Sequence, residues 1–316
     1  MRALCWDGSS LRLTERPLPA PDADTAVVRV QLAGVCSTDR ELTRGYTGFR
    51  GVLGHEFVGT VEAGPAAWRG RRVVGEINFS CGRCPTCSAG LRRHCPTRRV
   101  MGIVAADGAF ADYVAVPVAN LHAVPDAVAD DAAVFIEPLA AAFEILDQVQ
   151  VEPGLPALVL GDGKLGLLVG QVLAHAGARV LVVGKHDDKL AILRRRGIDT
   201  MRLDRWQPAR VPLVVEASGS AGAFAVAVAA TAPRGTLVLK STVAERAPHD
   251  LAALVIDEIT VVGSRCGPFA PALAALAEGL VDVRSLIAAR YGLADGVEAL
   301  RQAAAPGMLK VLIDAS

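Results

Sequence analysis

Four cysteines fall within one short segment of the chain, and their spacing is its clearest chemical signal. Cys81, Cys84, Cys87 and Cys95 follow the pattern C-x2-C-x2-C-x7-C. Four thiolates this close together can surround one zinc ion tetrahedrally and leave no open coordination position. Such a closed site stabilises a loop and performs no chemistry. The pattern therefore predicts a structural zinc; disulfides in a secreted chain, or unrelated buried cysteines, are the alternatives.

A glycine-rich turn further along the chain has the pattern of a dinucleotide-binding site. The segment Gly161-Asp162-Gly163-Lys164-Leu165-Gly166 follows a predicted strand and precedes a predicted helix. The first glycine permits a tight turn, the second lets the backbone approach a pyrophosphate, and the third lets the helix pack on the strand. The N-terminus of the helix would face the phosphates. The alternative is a plain glycine turn in an α/β domain.

The end of the next predicted strand bears on the choice of cofactor. NAD-dependent enzymes usually have an Asp or Glu there, which binds the 2′-hydroxyl of the adenosine ribose. Here the position falls on Gly184, followed by Lys185 and His186. Because no acid would repel a 2′-phosphate and a cation is adjacent, the sequence favours NADP(H) over NAD(H). Asp187 and Asp188 are expected to cap the next helix; if either reaches the ribose, the preference becomes NAD(H).

Two kinds of scaffold must position these residues, and the chain changes character near residues 153–154. Before this point, short extended runs are broken by Gly and Pro, as in an antiparallel β domain. After it, apolar strands alternate with Ala- and Leu-rich helical stretches, which predicts an α/β fold with a doubly wound parallel sheet. The predicted strands are 157–160, 179–183, 213–216, 236–240, 259–263 and 309–313, and the predicted helices are 164–176, 187–196 and 269–278.

Composition limits the classes of protein to which the chain can belong. Its 316 residues suffice for two domains. Lys+Arg and Asp+Glu both number 33, and this balance argues against nucleic-acid or membrane-surface partners. The first residues lack the apolar segment of a signal peptide, and the longest apolar run is too short to span a bilayer. The sequence thus predicts a soluble, cytoplasmic protein, and that compartment favours metal-bound thiolates over disulfides.

Several motifs closely resemble those of the zinc-dependent medium-chain dehydrogenase/reductase superfamily, which includes alcohol and polyol dehydrogenases. Besides the four cysteines, they are Gly34-Val35-Cys36-Ser37-Thr38-Asp39, Gly54-His55-Glu56 and Glu137-Pro138-Leu139-Ala140. The resemblance covers the whole chain. It implies a GroES-like β catalytic domain, formed by residues 1–147 with 268–316 returning to it, and a Rossmann cofactor domain at 148–267.

The resemblance also implies a catalytic zinc, so that each chain would bind two zinc ions. Cys36, His55 and a carboxylate would hold this second ion. The carboxylate is Glu137 or Glu56, and Glu137 is preferred. Glu56 would then exchange with Glu137 as a ligand, or contact the ligands without binding the zinc itself. One thiolate, one imidazole and one carboxylate leave a fourth position open for water or substrate, as a catalytic zinc requires. A single His or Glu would more often be a core or surface residue, so the prediction rests on the combination.

Four further residues fall at positions with family roles. Thr38 lies where the superfamily has a hydroxyl that bonds the substrate oxygen, with a helix or turn cap as the alternative. Asp39 lies where a carboxylate orients the histidine ligand. Glu41 stands where many alcohol dehydrogenases have a proton-relay histidine, so the relay would pass through Glu41 or water. Lys310 falls where a basic residue contacts the cofactor phosphates; a solvated lysine at a strand edge is the equal alternative.

Together these implications predict a zinc-dependent oxidoreductase that prefers NADP(H) and transfers a hydride to or from an alcohol or carbonyl substrate. A zinc-independent reductase of C=C or C=N bonds on the same fold is one alternative, although relatives of that kind usually have damaged zinc ligands. A non-catalytic NADPH-binding protein is the other alternative, and an intact ligand set argues against it.

Two last expectations concern the Rossmann domain. The piece at 198–215 is shorter than in relatives, which usually fit another strand, a full helix and loops there. Its shortness would remove a helix from one face of the sheet. The strand at 259–263 resembles the edge strand by which relatives join two Rossmann sheets across a two-fold axis, which predicts a homodimer or homotetramer.

Overall fold

The computed structural model describes residues 1–242 and 251–316. The chain divides into two compact units. The first comprises Met1–Glu137, Leu276–Glu278 and Ile287–Ser316, and the second comprises Pro138–Ala275 and Gly279–Leu286. The domain boundaries expected from the sequence, at 147/148 and 267/268, stay predictions. Among the described helices, none has the length and apolar content that crossing a lipid bilayer requires.

Strands are the main regular elements of the first unit and form the centre of the second. In chain order they are β1 Arg2–Trp6, β2 Leu11–Glu15, β3 Thr25–Gly34, β4 Gly51–Val52, β5 Glu56–Ala63, β6 Arg72–Gly75, β7 Asn78–Phe79, β8 Arg99–Met101, β9 Ala105–Ala106, β10 Tyr113–Pro117, β11 Leu121–Ala123, β12 Pro156–Leu160, β13 Arg179–Gly184, β14 Asp199–Arg202, β15 Val211–Glu216, β16 Thr231–Leu239, β17 Thr260–Gly263, β18 Ile287–Gly292 and β19 Lys310–Asp314.

The α-helices range from single turns to about three turns. They are α1 Ser37–Thr43, α2 Pro85–Ser88, α3 Asp130–Ala133, α4 Ile136–Gln148, α5 Lys164–His175, α6 Asp187–Arg194, α7 Ala223–Ala230, α8 Ala252–Ile256, α9 Phe269–Ala277 and α10 Gly296–Ala303. Short 3-10 turns occur at Tyr46–Gly48, Arg92–His94, Val118–Asn120, Arg284–Leu286 and Leu293–Asp295.

The main sheet of the first unit has the order β11-β6-β5-β3-β19-β18, with β10 also paired to β3. Strand β3 is its long centre, and its run of Val, Leu and Ala side chains is almost entirely buried. Where β3 ends, Gly34 lies opposite Glu56 at the start of β5 and opposite Leu312 of β19. This antiparallel register brings the beginnings of β5 and β19 to the residues that lead into α1.

A six-stranded parallel sheet forms the second unit, in the order β14-β13-β12-β15-β16-β17. This is the 3-2-1-4-5-6 order of a doubly wound Rossmann sheet, whose central strands are apolar because helices cover both faces. The GroES-like and Rossmann fold class expected from the sequence is confirmed. The predicted helices and strands all form, with ends shifted by up to two residues except that β16 begins five residues before its predicted start, and the last strand, β19, joins the sheet of the first unit.

The short crossover between β13 and β15 is part strand and part loop. Strand β14 forms at Asp199–Arg202, so there is room for a strand, while residues 203–210 reach β15 without a helix. Trp206 takes part of the place of the missing helix: it is partly buried against the apolar cluster that includes Leu158, Val183 and Val214. The expected loss of a helix is confirmed, and the crossover retains a strand, β14.

Candidate functional site

The segment that carries Cys81, Cys84, Cys87 and Cys95, hereafter the four-cysteine loop, connects β7 to β8. Its sulfur atoms face one another, at 3.5 Å for Cys84–Cys87, 3.6 Å for Cys81–Cys95, 3.9 Å for Cys84–Cys95 and 4.0 Å for Cys81–Cys87. Zinc–sulfur bonds of about 2.3 Å require a tetrahedron whose sulfur atoms lie about 3.8 Å apart. All four residues are free thiols. The loop thus has the shape and the donor atoms of a closed zinc site.

Backbone hydrogen bonds prepare part of this loop for a cation. The backbone N–H of Cys81 points to the sulfur of Cys95 at 3.5 Å and, with the hydroxyl of Thr97, lowers the pKa of Cys95 to about 6. Burial instead raises the pKa of Cys87 to about 11. Because a metal binds the thiolate form, a bound cation would offset the cost of ionising Cys87.

A second group of side chains that could hold a metal ion lies where β3, β5 and α1 meet. The ligand atoms of Cys36, His55 and Glu56 all lie within 4.8 Å of one another. Cys36 is the residue before α1, and Glu56 opens β5 with His55 just ahead of it. The His55 and Glu56 side chains are almost fully buried. Glu137, the carboxylate preferred from the sequence, is half-buried in the first turn of α4 and is not one of this group of three.

Asp39 ties the first two members of the group together. Its Oδ2 accepts the backbone N–H of Cys36 at 2.8 Å, and its Oδ1 lies 3.3 Å from Nδ1 of His55. Burial of the His55 ring lowers its pKa, but the charge of Asp39 and the contact with Cys36 outweigh that effect and raise the pKa well above its usual value. Asp39 itself is completely buried. The placement matches the role of a carboxylate that orients a histidine ligand.

Glu56 has one carboxylate oxygen in an ion pair and one without a partner. Its Oε2 accepts a hydrogen bond from Nζ of Lys310, and both side chains are almost fully buried. Its Oε1 is buried and has no hydrogen-bond partner among the described residues. A buried carboxylate oxygen is costly unless a donor or cation satisfies it. A carboxylate with an unsatisfied buried oxygen, in a group with a thiol and an imidazole, fits a metal ion.

The sequence missed the contact between Lys310 and Glu56. Lys310 begins β19, and its ammonium lies beside Glu56 and 5.4 Å from the centre of the Phe135 ring. A solvated lysine at a strand edge, one of the two expectations, is wrong, whereas a role on the cofactor phosphates stays a prediction. Gly34 makes room for the pair, since a Cβ there would collide with the Glu56 carboxylate.

Thr38 and Glu41 project from the short helix α1. The Thr38 hydroxyl lies 3.7 Å from the sulfur of Cys36, which puts it beside the proposed metal ligands. Glu41 lies 3.4 Å from both Arg40 and Arg44, so two guanidinium groups neutralise its carboxylate. A proton relay through Glu41 stays a prediction.

The glycine turn of the second unit has the geometry of a phosphate-binding turn. Gly161 has a φ of 123°, and a Cβ there would lie 2.6 Å from the carbonyl oxygen of Ala217. A Cβ at Gly166 would collide with the carbonyl of Gly161, whereas one at Gly163 would meet nothing within 4 Å. Helix α5 begins directly after Gly163. The first and third glycines thus permit close packing, and the second leaves open space before the helix N-terminus.

Asp162, inside this turn, makes contacts with the end of the next strand that the sequence does not predict. Its Oδ2 accepts the backbone N–H groups of Lys185 at 2.7 Å and His186 at 2.6 Å, and lies 2.9 Å from Nδ1 of His186. Burial alone would raise the pKa of Asp162, but these hydrogen bonds outweigh it and lower the pKa. The sequence does contain a signal for these contacts: the glycine turn includes an acid, and Gly184, at the end of the next strand, has no side chain to fill the space beside it.

The two aspartates that follow His186 do not act as caps. His186 is itself the residue before α6, and no side-chain capping bond is made there. Asp187 instead lies 3.5 Å from Arg194 and 3.8 Å from Arg202. The expectation of a capping role is therefore wrong.

Comparisons with known proteins agree on one family. Residues 22–126 match the model of the alcohol dehydrogenase GroES-like domain, and residues 165–278 match that of the zinc-binding dehydrogenases. The chain is 31% identical to the starvation-sensing protein RspB of Escherichia coli K12 over 299 residues, with 88% of each chain covered. It is 32% identical to the L-threonine 3-dehydrogenase of Streptomyces avermitilis over an alignment of 333 residues, with 96% of each covered.

Two solved structures extend these similarities. A short chain alcohol dehydrogenase (rspB) from E. coli CFT073, complexed with NADH, has a TM-score of 0.92 at 28% identity and covers 99% of both chains. A putative zinc-binding dehydrogenase from Sinorhizobium meliloti 1021, bound to NADP, has a TM-score of 0.90 at 28% identity, covering 99% of this chain and 98% of that one.

Proposed function

We propose that this chain, which belongs to the zinc-dependent medium-chain dehydrogenase/reductase superfamily, transfers a hydride between a nicotinamide cofactor and an alcohol or carbonyl substrate at a zinc site. Membership rests on the two family models and on relatives above 30% identity along nearly the whole chain. The observation that carries the zinc assignment is the group of Cys36, His55 and Glu56, with its buried, unbonded carboxylate oxygen.

Cys36 and His55 would hold the catalytic ion together with Glu56 or Glu137. Glu56 is favoured as the third ligand, because its carboxylate lies within 4.8 Å of the ligand atoms of the other two residues. When bound, zinc supplies Lewis acidity that lowers the pKa of an alcohol hydroxyl or polarises a carbonyl, and the nicotinamide supplies or accepts the hydride. The four-cysteine loop would hold a second, structural zinc, because its sulfur separations match a closed tetrahedron.

The protein's own residues would position the reacting groups and move the proton. Asp39 fixes His55 and the backbone at Cys36 through its two oxygens. The Thr38 hydroxyl, beside the Cys36 sulfur, would accept the proton that leaves a substrate hydroxyl. Lys310 holds Oε2 of Glu56, which leaves Oε1 without a hydrogen-bond partner among the described residues.

The glycine turn before α5 would bind the pyrophosphate of the dinucleotide. NAD(H) and NADP(H) are both compatible with the fold, since one similar structure contains NADH and another NADP. A glycine in place of an acid at position 184 favours NADP(H). The carboxylate of Asp162 weakens that argument, because it reaches the same place from the neighbouring turn.

The proposed partner is a second copy of this chain, in a cytoplasmic homodimer or homotetramer. Strand β17 is at the edge of the Rossmann sheet. Val261 on that strand and Val255 and Ile256 on α8 are exposed, at 39%, 76% and 78%. Pairing of two edge strands would bury such side chains. Light scattering on the eluting protein would show a dimer or tetramer, and a monomer at micromolar concentration would contradict the assignment.

A substrate panel tests the proposed reaction. Purified protein should oxidise at least one polyol, simple alcohol or hydroxy amino acid, or reduce the matching carbonyl, with NAD(P)(H). Chelation should remove this activity, and added zinc should restore it. Turnover confined to activated alkenes or imines, or activity that survives loss of the metal, would contradict the proposal.

A further inference from the structure

The carboxylate of Asp162 occupies the place where the side chain of residue 184 would be. A Cβ built on Gly184 would lie 2.6 Å from both Cγ and Oδ2 of Asp162. In Rossmann folds this place, at the carboxyl end of the second strand, is where an acid binds the adenosine ribose. Here a bare glycine and an acid from the preceding turn together produce the same arrangement: a carboxylate beside the end of β13.

The hydrogen bonds of Asp162 use the groups that would otherwise bind a phosphate. Successive backbone N–H groups after a strand form a favourable site for an anion. Those of Lys185 and His186 both donate to Oδ2 of Asp162, at 2.7 and 2.6 Å. A 2′-phosphate would therefore meet a negative charge and no free N–H groups at this point. Oδ1 of Asp162 accepts no hydrogen bond from the described residues and could accept one from a ribose hydroxyl.

Neighbouring carboxylates hold the positive charge of Arg202, which lies near Asp162. Arg202 binds Asp204 with two hydrogen bonds, of 3.0 and 2.7 Å, and also lies 3.8 Å from Asp187. Lys189 is buried and contributes its positive charge at Asp162. Lys185 is exposed. Arg202 is thus engaged by Asp204 and Asp187, and the charge of Lys189 is offset by Asp162 itself, so binding a 2′-phosphate would require these pairings to be given up.

We propose that Asp162 binds the adenosine ribose and makes this chain selective for NAD(H) over NADP(H), the reverse of the preference that the strand end alone predicts. The inference rests on the proposed function only in requiring that the chain bind a nicotinamide dinucleotide. The carboxylate would accept the 2′-hydroxyl of NAD(H) and repel the 2′-phosphate of NADP(H).

The test is fluorescence titration of the zinc-loaded protein with NADH and with NADPH. The wild type should bind NADH about tenfold or more tightly than NADPH, as expected for a hydrogen bond to a charged group. Asp162→Asn keeps the shape and removes the charge, so the preference should fall to near unity or invert. Asp188→Asn is the matched control: it removes an exposed charge from the first turn of α6 and should preserve the preference.

Removal of the ligand's own hydroxyl gives an independent readout. The wild type should bind 2′-deoxy-NAD about tenfold more weakly than NAD, whereas Asp162→Asn should bind the two with equal affinity. If that variant does not fold, as judged by circular dichroism, the wild-type comparison of NAD with 2′-deoxy-NAD still decides. Equal binding of those two, or tighter binding of NADPH by the wild type, would overturn the inference. Failure to bind any of these dinucleotides would contradict the proposed function as well.

Discussion

The four-cysteine loop and the group of Cys36, His55 and Glu56 lie in the same unit but are assembled in different ways. The loop takes all its ligands from one short segment, and two of its cysteines, Cys87 and Cys95, are buried while Cys81 is exposed. The second group joins residues from separate elements and is backed by buried charges, Asp39 and Lys310. A metal ion could by itself order a site whose ligands all come from one segment. The second site instead requires that β3, β5 and β19 pair in the correct register.

This contrast implies different consequences of damage. Loss of a cysteine in the loop should cost folding free energy, because the proposed zinc binding and local folding would be the same event there. Loss of a residue around the second group should affect the sheet less but the chemistry more. The predictions that follow compare the two sites, from the largest expected effect to the smallest.

The largest effect is expected from Cys87→Ser in the loop. Zinc binding by such sites contributes about 10 kcal/mol or more to local folding, so this variant should melt at a much lower temperature and gain nothing from added zinc. Thermal denaturation followed by circular dichroism would measure it. Cys5→Ser, at a free cysteine in β1, is the control and should melt near the wild type. Equal melting of all three proteins would remove the structural role from the loop.

Lys310→Met should cost about 3 kcal/mol of unfolding free energy, because it leaves the charge of Glu56 buried without its partner. The double variant Lys310→Met with Glu56→Gln should recover much of this loss. Urea denaturation measures both. Lys185→Met, at an exposed lysine, should change stability by less than about 0.5 kcal/mol. A Lys310 variant as stable as this control would mean that the buried pair does not hold the site together.

A smaller effect is expected from Asp39→Asn, which keeps the shape but removes the charge that faces His55. Zinc affinity of the second site should fall by about 10- to 100-fold, as for other carboxylates that orient histidine ligands. Competition with a zinc-binding dye would measure this fall. The affinity of the four-cysteine loop should not change in the same protein, which supplies an internal control. An unchanged affinity at both sites would rule out the orienting role of Asp39.

The same contrast explains which features the sequence could predict. The spacing of the cysteines and of the glycines is local, so both turns form as expected. The pairing of Lys310 with Glu56 joins residues 254 positions apart. It depends on β19 lying antiparallel to β3, which a single sequence does not specify. Asp162 was missed for a related reason: its side chain leaves its own turn and takes a place that sequence position assigns to residue 184.

Zinc content per chain, measured together with turnover, tests the central claim most directly. Wild-type protein should contain two zinc ions per chain, and Cys36→Ser should contain one, with an unchanged circular dichroism spectrum. Its turnover should fall about a thousandfold, in keeping with several kcal/mol of lost transition-state stabilisation. A Cys36→Ser protein that retains two zinc ions, or that turns over substrate like the wild type, would contradict a catalytic metal at Cys36, His55 and a carboxylate.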